Sequence, residues 1–219
     1  MNCACTTNPI IEGTNGFFSK HAGMYARRFR KHGLERVQKL LLLGARSEEI
    51  PGKEILDIGC GVGALHLTLL KEGAAKATGV DISRGMIERA KEISNELGVA
   101  GQASYVVGDF VEVADSIGES DITLLDKAVC CYENIDALLR ASTAKTRRIY
   151  VLSHPKENIF MKTAFKGHIA FAKLFKWRFH PFWHDWQKLR EDIQHLGFEL
   201  VSSSSTPMWQ VLVFRRVGS

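Results

Sequence analysis

The chain has 219 residues, 45% of them hydrophobic and 24% charged. That composition excludes collagen-like, low-complexity and wholly disordered classes, and it is enough for one domain with a sizeable core. Twenty-nine Lys and Arg against 24 Asp and Glu leave a net charge of +5, an excess too small to demand nucleic acid or a membrane as partner.

Residues 1–16, polar and rich in Thr, Asn and Gly, read as a loose arm. Helical patterns follow from Phe17 to Lys31 and from Leu34 to Leu43, with Gly44 closing the second, so 17–50 read as a helical cap. Through 51–155, short β-rich runs alternate with longer helical ones. The predicted strands are Glu54 to Ile58, a run ending at Asp81, Ala103 to Val107, Asp121 to Asp126 and Arg148 to Ser153. Between them lie helical patterns over 62–72, 86–97, 111–117 and 135–144. Alternation at this spacing implies right-handed crossovers and a doubly wound α/β fold, a parallel sheet covered on both faces. Residues 156–186 are aromatic and basic and break the rhythm. In 187–219 a helix through Leu189, Ile193 and Leu196 stops at Gly197, and two strands, Phe198 to Ser202 and Met208 to Arg215, read as a hairpin across a Ser-rich connection. All of 1–219 reads as a single domain.

Five cysteines, at positions 3, 5, 60, 130 and 131, form no even disulfide framework and fit a reducing cytoplasm. The first ten residues lack the charged and apolar regions of a secretory signal, and no apolar run reaches the ~18 residues of a membrane span. No His, Cys or Asp cluster has the spacing of metal ligands, so no metal is expected.

The most informative stretch is Asp57-Ile58-Gly59-Cys60-Gly61-Val62-Gly63, where the first strand turns into the first helix of the alternation. Glycines there tolerate positive φ and let a ligand approach the backbone, while the helix N-terminus offers free N–H groups. The spacing Gly59-x-Gly61-x-x-Ala64 also satisfies a relaxed dinucleotide fingerprint, which keeps an NAD(P)-dependent oxidoreductase open. The acids around it discriminate. Asp57 would repel a pyrophosphate but suits an ammonium group. Asp81 ends the second strand, where an acceptor can take two ribose hydroxyls, and Asp109, after the third, can accept from an exocyclic amine such as adenine's. A nucleoside with an ammonium and no phosphate describes S-adenosylmethionine. Each acid also has a bland reading, as a helix cap or turn residue.

Through Asp57-x-Gly59-x-Gly61-x-Gly63, Asp81, Gly108-Asp109 and the strand Asp121 to Asp126, the chain resembles the class I S-adenosylmethionine-dependent methyltransferases of small molecules. The resemblance implies a seven-stranded, mostly parallel Rossmann-like sheet of order 3-2-1-4-5-7-6 with an antiparallel C-terminal hairpin. It implies that Gly59, Gly61 and Gly63 lie beside the methionine portion of the cofactor, Asp81 and Ile82 at the ribose, and Asp109 with Phe110 at the adenine. The loop from Asp126 to Tyr132 would face the methyl group. Tyr25 looks like the helix tyrosine that many small-molecule methyltransferases fold over the cofactor, and 17–38 are faintly similar to the corresponding helix of tetrapyrrole and quinone methyltransferases. Amine methyltransferases of the class carry Asn/Asp-Pro-Pro-Tyr/Phe after the fourth strand. Asp126-Lys127-Ala128-Val129 departs from that pattern, which argues against adenine or glutamine amides as acceptors.

For a hydroxyl acceptor a general base would help, and the strand-end candidates are His154, Asp126 and, after them, Tyr132 and Glu133. His154 precedes Pro155 and has the alternative of merely ending its strand. On a helical wheel over 160–176, Lys162, Lys166, Lys173 and Lys176 share one side, with Phe160, Ala164, Phe171, Leu174 and Phe175 opposite. That helix would pack on the core, contact a membrane surface or cap an apolar substrate. With Phe179, His180, Phe182, Trp183, His184 and Trp186 behind it, 156–186 read as a substrate lid. The expected activity is methyl transfer to a small, partly apolar or aromatic acceptor, O-methylation favoured. An RNA methyltransferase, motivated by the charge and the lysine stripe, is the alternative within the class, although a nucleic-acid partner is disfavoured.

Overall fold

A computed structural model describes residues 9–174 and 181–218. The elements in chain order are α1 (Pro9–His32), α2 (Arg36–Ala45), β1 (Glu54–Ile58), α3 (Ala64–Lys71), β2 (Lys76–Asp81), α4 (Arg84–Glu96), β3 (Ala103–Val107), α5 (Phe110–Val113), β4 (Ser120–Leu125), α6 (Ile135–Ala144), β5 (Thr146–Pro155), α7 (Ile159–Leu174), α8 (Trp186–His195), β6 (Phe198–Ser205) and β7 (Trp209–Arg216). The strands form one seven-stranded sheet of order β3-β2-β1-β4-β5-β7-β6. Neighbours from β3 to β5 pair in parallel, while β7 runs antiparallel to both β5 and β6. The doubly wound sheet and its order are those expected from the sequence.

Strand periodicity distributes the core. On β5, Ile149 and Val151 face one side, with α1 to α4, and Tyr150 and Leu152 face the other, with α5, α6 and α8. Both sets are fully buried, and each such side chain contributes roughly 1.5–3 kcal/mol through lost apolar exposure.

Two expectations need correction. The arm predicted over 1–16 is helical from Pro9, at the first position of α1, where a missing N–H leaves no bond unmade. Gly44 does not close α2 but lies within it, buried, because the helix presses on the sheet there. A Cβ at Gly44 would come within 2.5 Å of Val213 and 3.1 Å of Val151. The close approach seats α2 over β5 and β7. In the same way α1 crosses the start of α4, where Ser19 Oγ lies 2.8 Å from Ser83 Oγ and Gly85 leaves no room for a side chain against Ser19. A bidentate Arg30–Glu96 pair holds the far end of that crossing.

Candidate active site

Winding reverses between β1 and β4, and open α/β sheets bind ligands outside the carboxyl ends of the strands at such a point. A cavity of about 440 Å³ lies there. The turns after β1, β2, β3 and β4 line it, together with residues of α1 and the start of α2.

The turn after β1 has φ +69° at Gly59, +55° at Gly61 and +84° at Gly63, the left-handed region that favours glycine. At Gly59 a Cβ would also meet Ala128 at 3.0 Å, so this turn packs directly on the loop after β4. Gly59 and Gly61 line the cavity; Gly63, predicted to touch the cofactor, does not, and instead caps α3. Cys60 is a small buried residue of the turn, its thiol raised well above the ordinary value by burial.

Asp57 lies on the cavity wall and is buried. His66 Nδ1 sits 2.7 Å from its Oδ2, while Oδ1 has no partner. Asp81 accepts from the Gly61 N–H through Oδ2 and from the Ser83 N–H through Oδ1, each at 2.8 Å. Burial outweighs these bonds and pushes its pKa up to about 6. Ile82 follows it on the wall. Asp109 caps α5, accepting from the Val111 N–H at 2.8 Å, and its Oδ1 also accepts from the Tyr132 hydroxyl at 3.0 Å. That hydroxyl in turn accepts from the Phe110 N–H at 3.0 Å. Tyr132 therefore occupies the Phe110 N–H and one oxygen of Asp109, and burial with the adjacent Asp109 holds its phenol far above the ordinary range.

At the other end of the cavity, Asp126 accepts from Ser153 Oγ at 3.0 Å and from the Gln38 amide at 3.1 Å. Burial raises its pKa, opposed by the Lys127 ammonium. Lys127 has φ 57° and is the only non-glycine with positive φ among the described residues, a conformation that persists where surrounding contacts over-determine it. The contacts are visible: its N–H donates to Ser153 Oγ at 2.8 Å, and its Nζ reaches Glu35 at 2.6 Å. Glu35 N-caps α2 through a capping box with Gln38. Tyr25 lines the same end, half-buried, its phenol raised by burial. Glu35, Gln38, Lys127 and His66 escaped the sequence reading. The only signal available was the capping-box spacing of Glu35 and Gln38.

His154 is not brought to the cavity. β5 runs two residues further than predicted, and alternation turns Ser153 toward Asp126 and Lys127 but His154 toward α8. There its ring stacks on Trp186 with centroids 4.7 Å apart, and Nδ1 lies 2.8 Å from the Pro155 carbonyl oxygen. Nε2 is buried without a partner, and burial drives the pKa down to about 4. It is a sealed, neutral histidine.

The predicted lid also departs from expectation. Phe182, Trp183, His184 and Trp186 do not line the cavity; Trp186 is core, opening α8 after the Asp185 cap. The segment grips the turn after β4, with the Phe182 N–H donating to the Cys130 carbonyl at 2.7 Å and His184 Nε2 to that of Tyr132 at 2.9 Å. On α7, Met161 is buried and Phe165 meets Trp183 edge to face, while Lys162 and Lys166 are exposed and Leu174, expected on the packed side, is exposed too. Phe175, Lys176, Phe179 and His180 lie outside the described residues, as do the side chains of Phe160, Ala164, Phe171 and Lys173. Among the described residues no helix is long and apolar enough to cross a membrane.

Residues 55–147 match the family described as a methyltransferase domain. Cycloartenol-C-24-methyltransferase 1 of Oryza sativa subsp. japonica is 31% identical over 97 residues, 41% of this chain and 28% of that protein. The ribosomal protein L11 methyltransferase of Aliivibrio salmonicida is 37% identical over 70 residues, 32% of this chain and 24% of its own. The chain thus spans about a quarter of these curated relatives. Among solved structures, magnesium protoporphyrin IX methyltransferase from Synechocystis PCC 6803 with bound SAH superposes with a TM-score of 0.73 at 20% identity, covering 95% of this chain and all of that one. Over 55–147 the chain thus matches a methyltransferase domain, and its seven-stranded sheet has the fold of that solved structure.

Proposed function

We propose that the protein moves the methyl group of S-adenosylmethionine to a small, partly apolar or aromatic acceptor, with an oxygen nucleophile favoured. One observation carries the reading: the unpartnered Oδ1 of Asp57, buried on the wall of a cavity that also holds Asp81. A buried carboxylate oxygen without a partner is costly. An ammonium relieves that cost, whereas a pyrophosphate would raise it, which disfavours a nicotinamide dinucleotide. The donor set fits the cofactor: Asp57 for the ammonium, Asp81 with lone pairs left for the sugar hydroxyls, and Asp109 with Phe110 for adenine once Tyr132 yields them. When bound, S-adenosylmethionine supplies a methyl group already activated by the sulfonium charge.

The chain then has to position the acceptor and exclude water. Ile11, Phe18 and Tyr25 of α1 give the cavity an apolar wall, which supports an apolar or aromatic acceptor. Asp126, on the cavity wall, is the base we assign to a hydroxyl acceptor. Its raised pKa makes it a better base than an ordinary carboxylate, and Ser153 and Gln38 fix both of its oxygens.

The test is incubation of the protein with methyl-labelled S-adenosylmethionine and a cell extract, followed by separation into small-molecule, protein and RNA fractions. Label in the solvent-extractable small molecules is expected. Label confined to RNA or protein would overturn the acceptor class.

A further inference from the structure

We propose that His66 is a positioning residue: through Asp57 it makes this site select ligands that carry an amino acid ammonium. The inference rests on the cofactor reading above and adds a residue to it. His66 is the third residue of α3, fully buried among Leu65, Leu67 and Leu69. A helix face so placed asks for an apolar side chain, and an imidazole there needs a polar reason. The reason is Asp57. An ionised carboxylate only accepts, so His66 Nδ1 donates across the 2.7 Å contact. On its other side the ring meets Tyr105 edge-on, with Nε2 3.5 Å from the phenol oxygen, and the phenol donates to the Ala90 carbonyl at 3.2 Å.

The backbone has been shaped around this ring. A Cβ at Gly63 would lie 3.1 Å from His66 Cε1 and Nε2, and a Cβ at Gly79 on β2 would lie 3.0 Å from Cε1. Gly79 has no positive φ, so its backbone conformation does not call for glycine; the space taken by His66, Tyr105 and Cys60 does. The imidazole thus pins Oδ2 and leaves Oδ1 as the free acceptor on the cavity wall. Without the donor, the carboxylate turns to satisfy itself and the ammonium loses a fixed partner.

Binding can be measured by isothermal titration calorimetry with two ligands. S-adenosylhomocysteine carries the amino acid portion, whereas 5′-methylthioadenosine shares the nucleoside and thioether and lacks it. His66→Asn keeps an N–H donor near the Nδ1 position, and His66→Gln moves it one bond away. His66→Gln is expected to weaken S-adenosylhomocysteine about tenfold or more while changing methylthioadenosine by less than about twofold, with His66→Asn within about threefold of wild type for both. Undiminished binding of S-adenosylhomocysteine by His66→Gln would overturn the proposal, and so would equal loss of both ligands, the mark of a merely structural role. Wild type that binds neither ligand would refute the cofactor reading and this inference with it. Wild type that binds both, with an unaffected His66→Gln, refutes the role of His66 alone.

Discussion

Asp57 on β1 and His154 on β5 are both buried near the sheet's carboxyl edge, and each has one polar atom engaged and one without a partner. Their surroundings are opposite. After Asp57 the chain leaves the sheet through a glycine turn and a cavity opens beside the carboxylate. After His154 strand β5 continues to Pro155 alongside β7, and Trp186 closes over the ring. An orphaned polar atom therefore marks a ligand site only where space adjoins it. Elsewhere the group answers burial by staying neutral.

Closing the open member of the pair should give the largest effect. Gly61→Arg places a long cation at a backbone position with φ +55° on the cavity wall, forcing strain and filling the space. Binding of S-adenosylhomocysteine should fall by about a thousandfold or more, since a fully blocked pocket forfeits most of its contacts. Retained binding would show that the ligand lies elsewhere.

The sealed member should betray itself through acid stability. With its folded pKa pushed down to about 4 from an unfolded value of about 6.5, His154 disfavours the charged ring in the fold. Its contribution is fully present above about pH 6.5 and is lost as pH falls toward 4, because the unfolded chain takes up a proton that the folded chain refuses, up to on the order of 3 kcal/mol. His154→Leu should flatten the decline between pH 7 and pH 4.5 in urea unfolding and leave cofactor affinity unchanged. Weakened binding in that variant would return His154 to the site.

The smallest effect concerns a competitor on the open side. The hydroxyl of Tyr132 uses the Phe110 N–H and one oxygen of Asp109, so Tyr132→Phe should free them and tighten S-adenosylhomocysteine by about threefold, the scale of one net hydrogen bond. Weaker binding in calorimetry would mean that the phenol contacts the cofactor itself.

Elements with strong local signals were legible in the sequence. The parallel strands announce themselves by β-rich runs, and Gly59, Gly61, Asp57 and Asp81 by the turn chemistry they share. His154 was misread because the parity of a strand tip depends on where the strand ends, and β5 is prolonged by pairing with β7, more than fifty residues away in the chain. The start of α1 was hidden by its Thr, Asn and Gly content, since its inner residues are settled by tertiary contacts with the cavity and α4. Lys127 gave no sign, because its φ of 57° is imposed by Ser153 and Glu35 from other elements. His66 looked like an ordinary helix residue until β1 and β3 brought Asp57 and Tyr105 against it.

The central claim is that the cavity at the β1/β4 switch takes an adenosyl ligand through its ammonium and sugar hydroxyls and has no place for a pyrophosphate. Calorimetric titration of the wild-type protein with S-adenosylhomocysteine and, separately, with NADH tests it most directly. Saturable one-to-one binding of S-adenosylhomocysteine with no heat from NADH is the predicted result, and binding of NADH in the absence of any S-adenosylhomocysteine binding would contradict it.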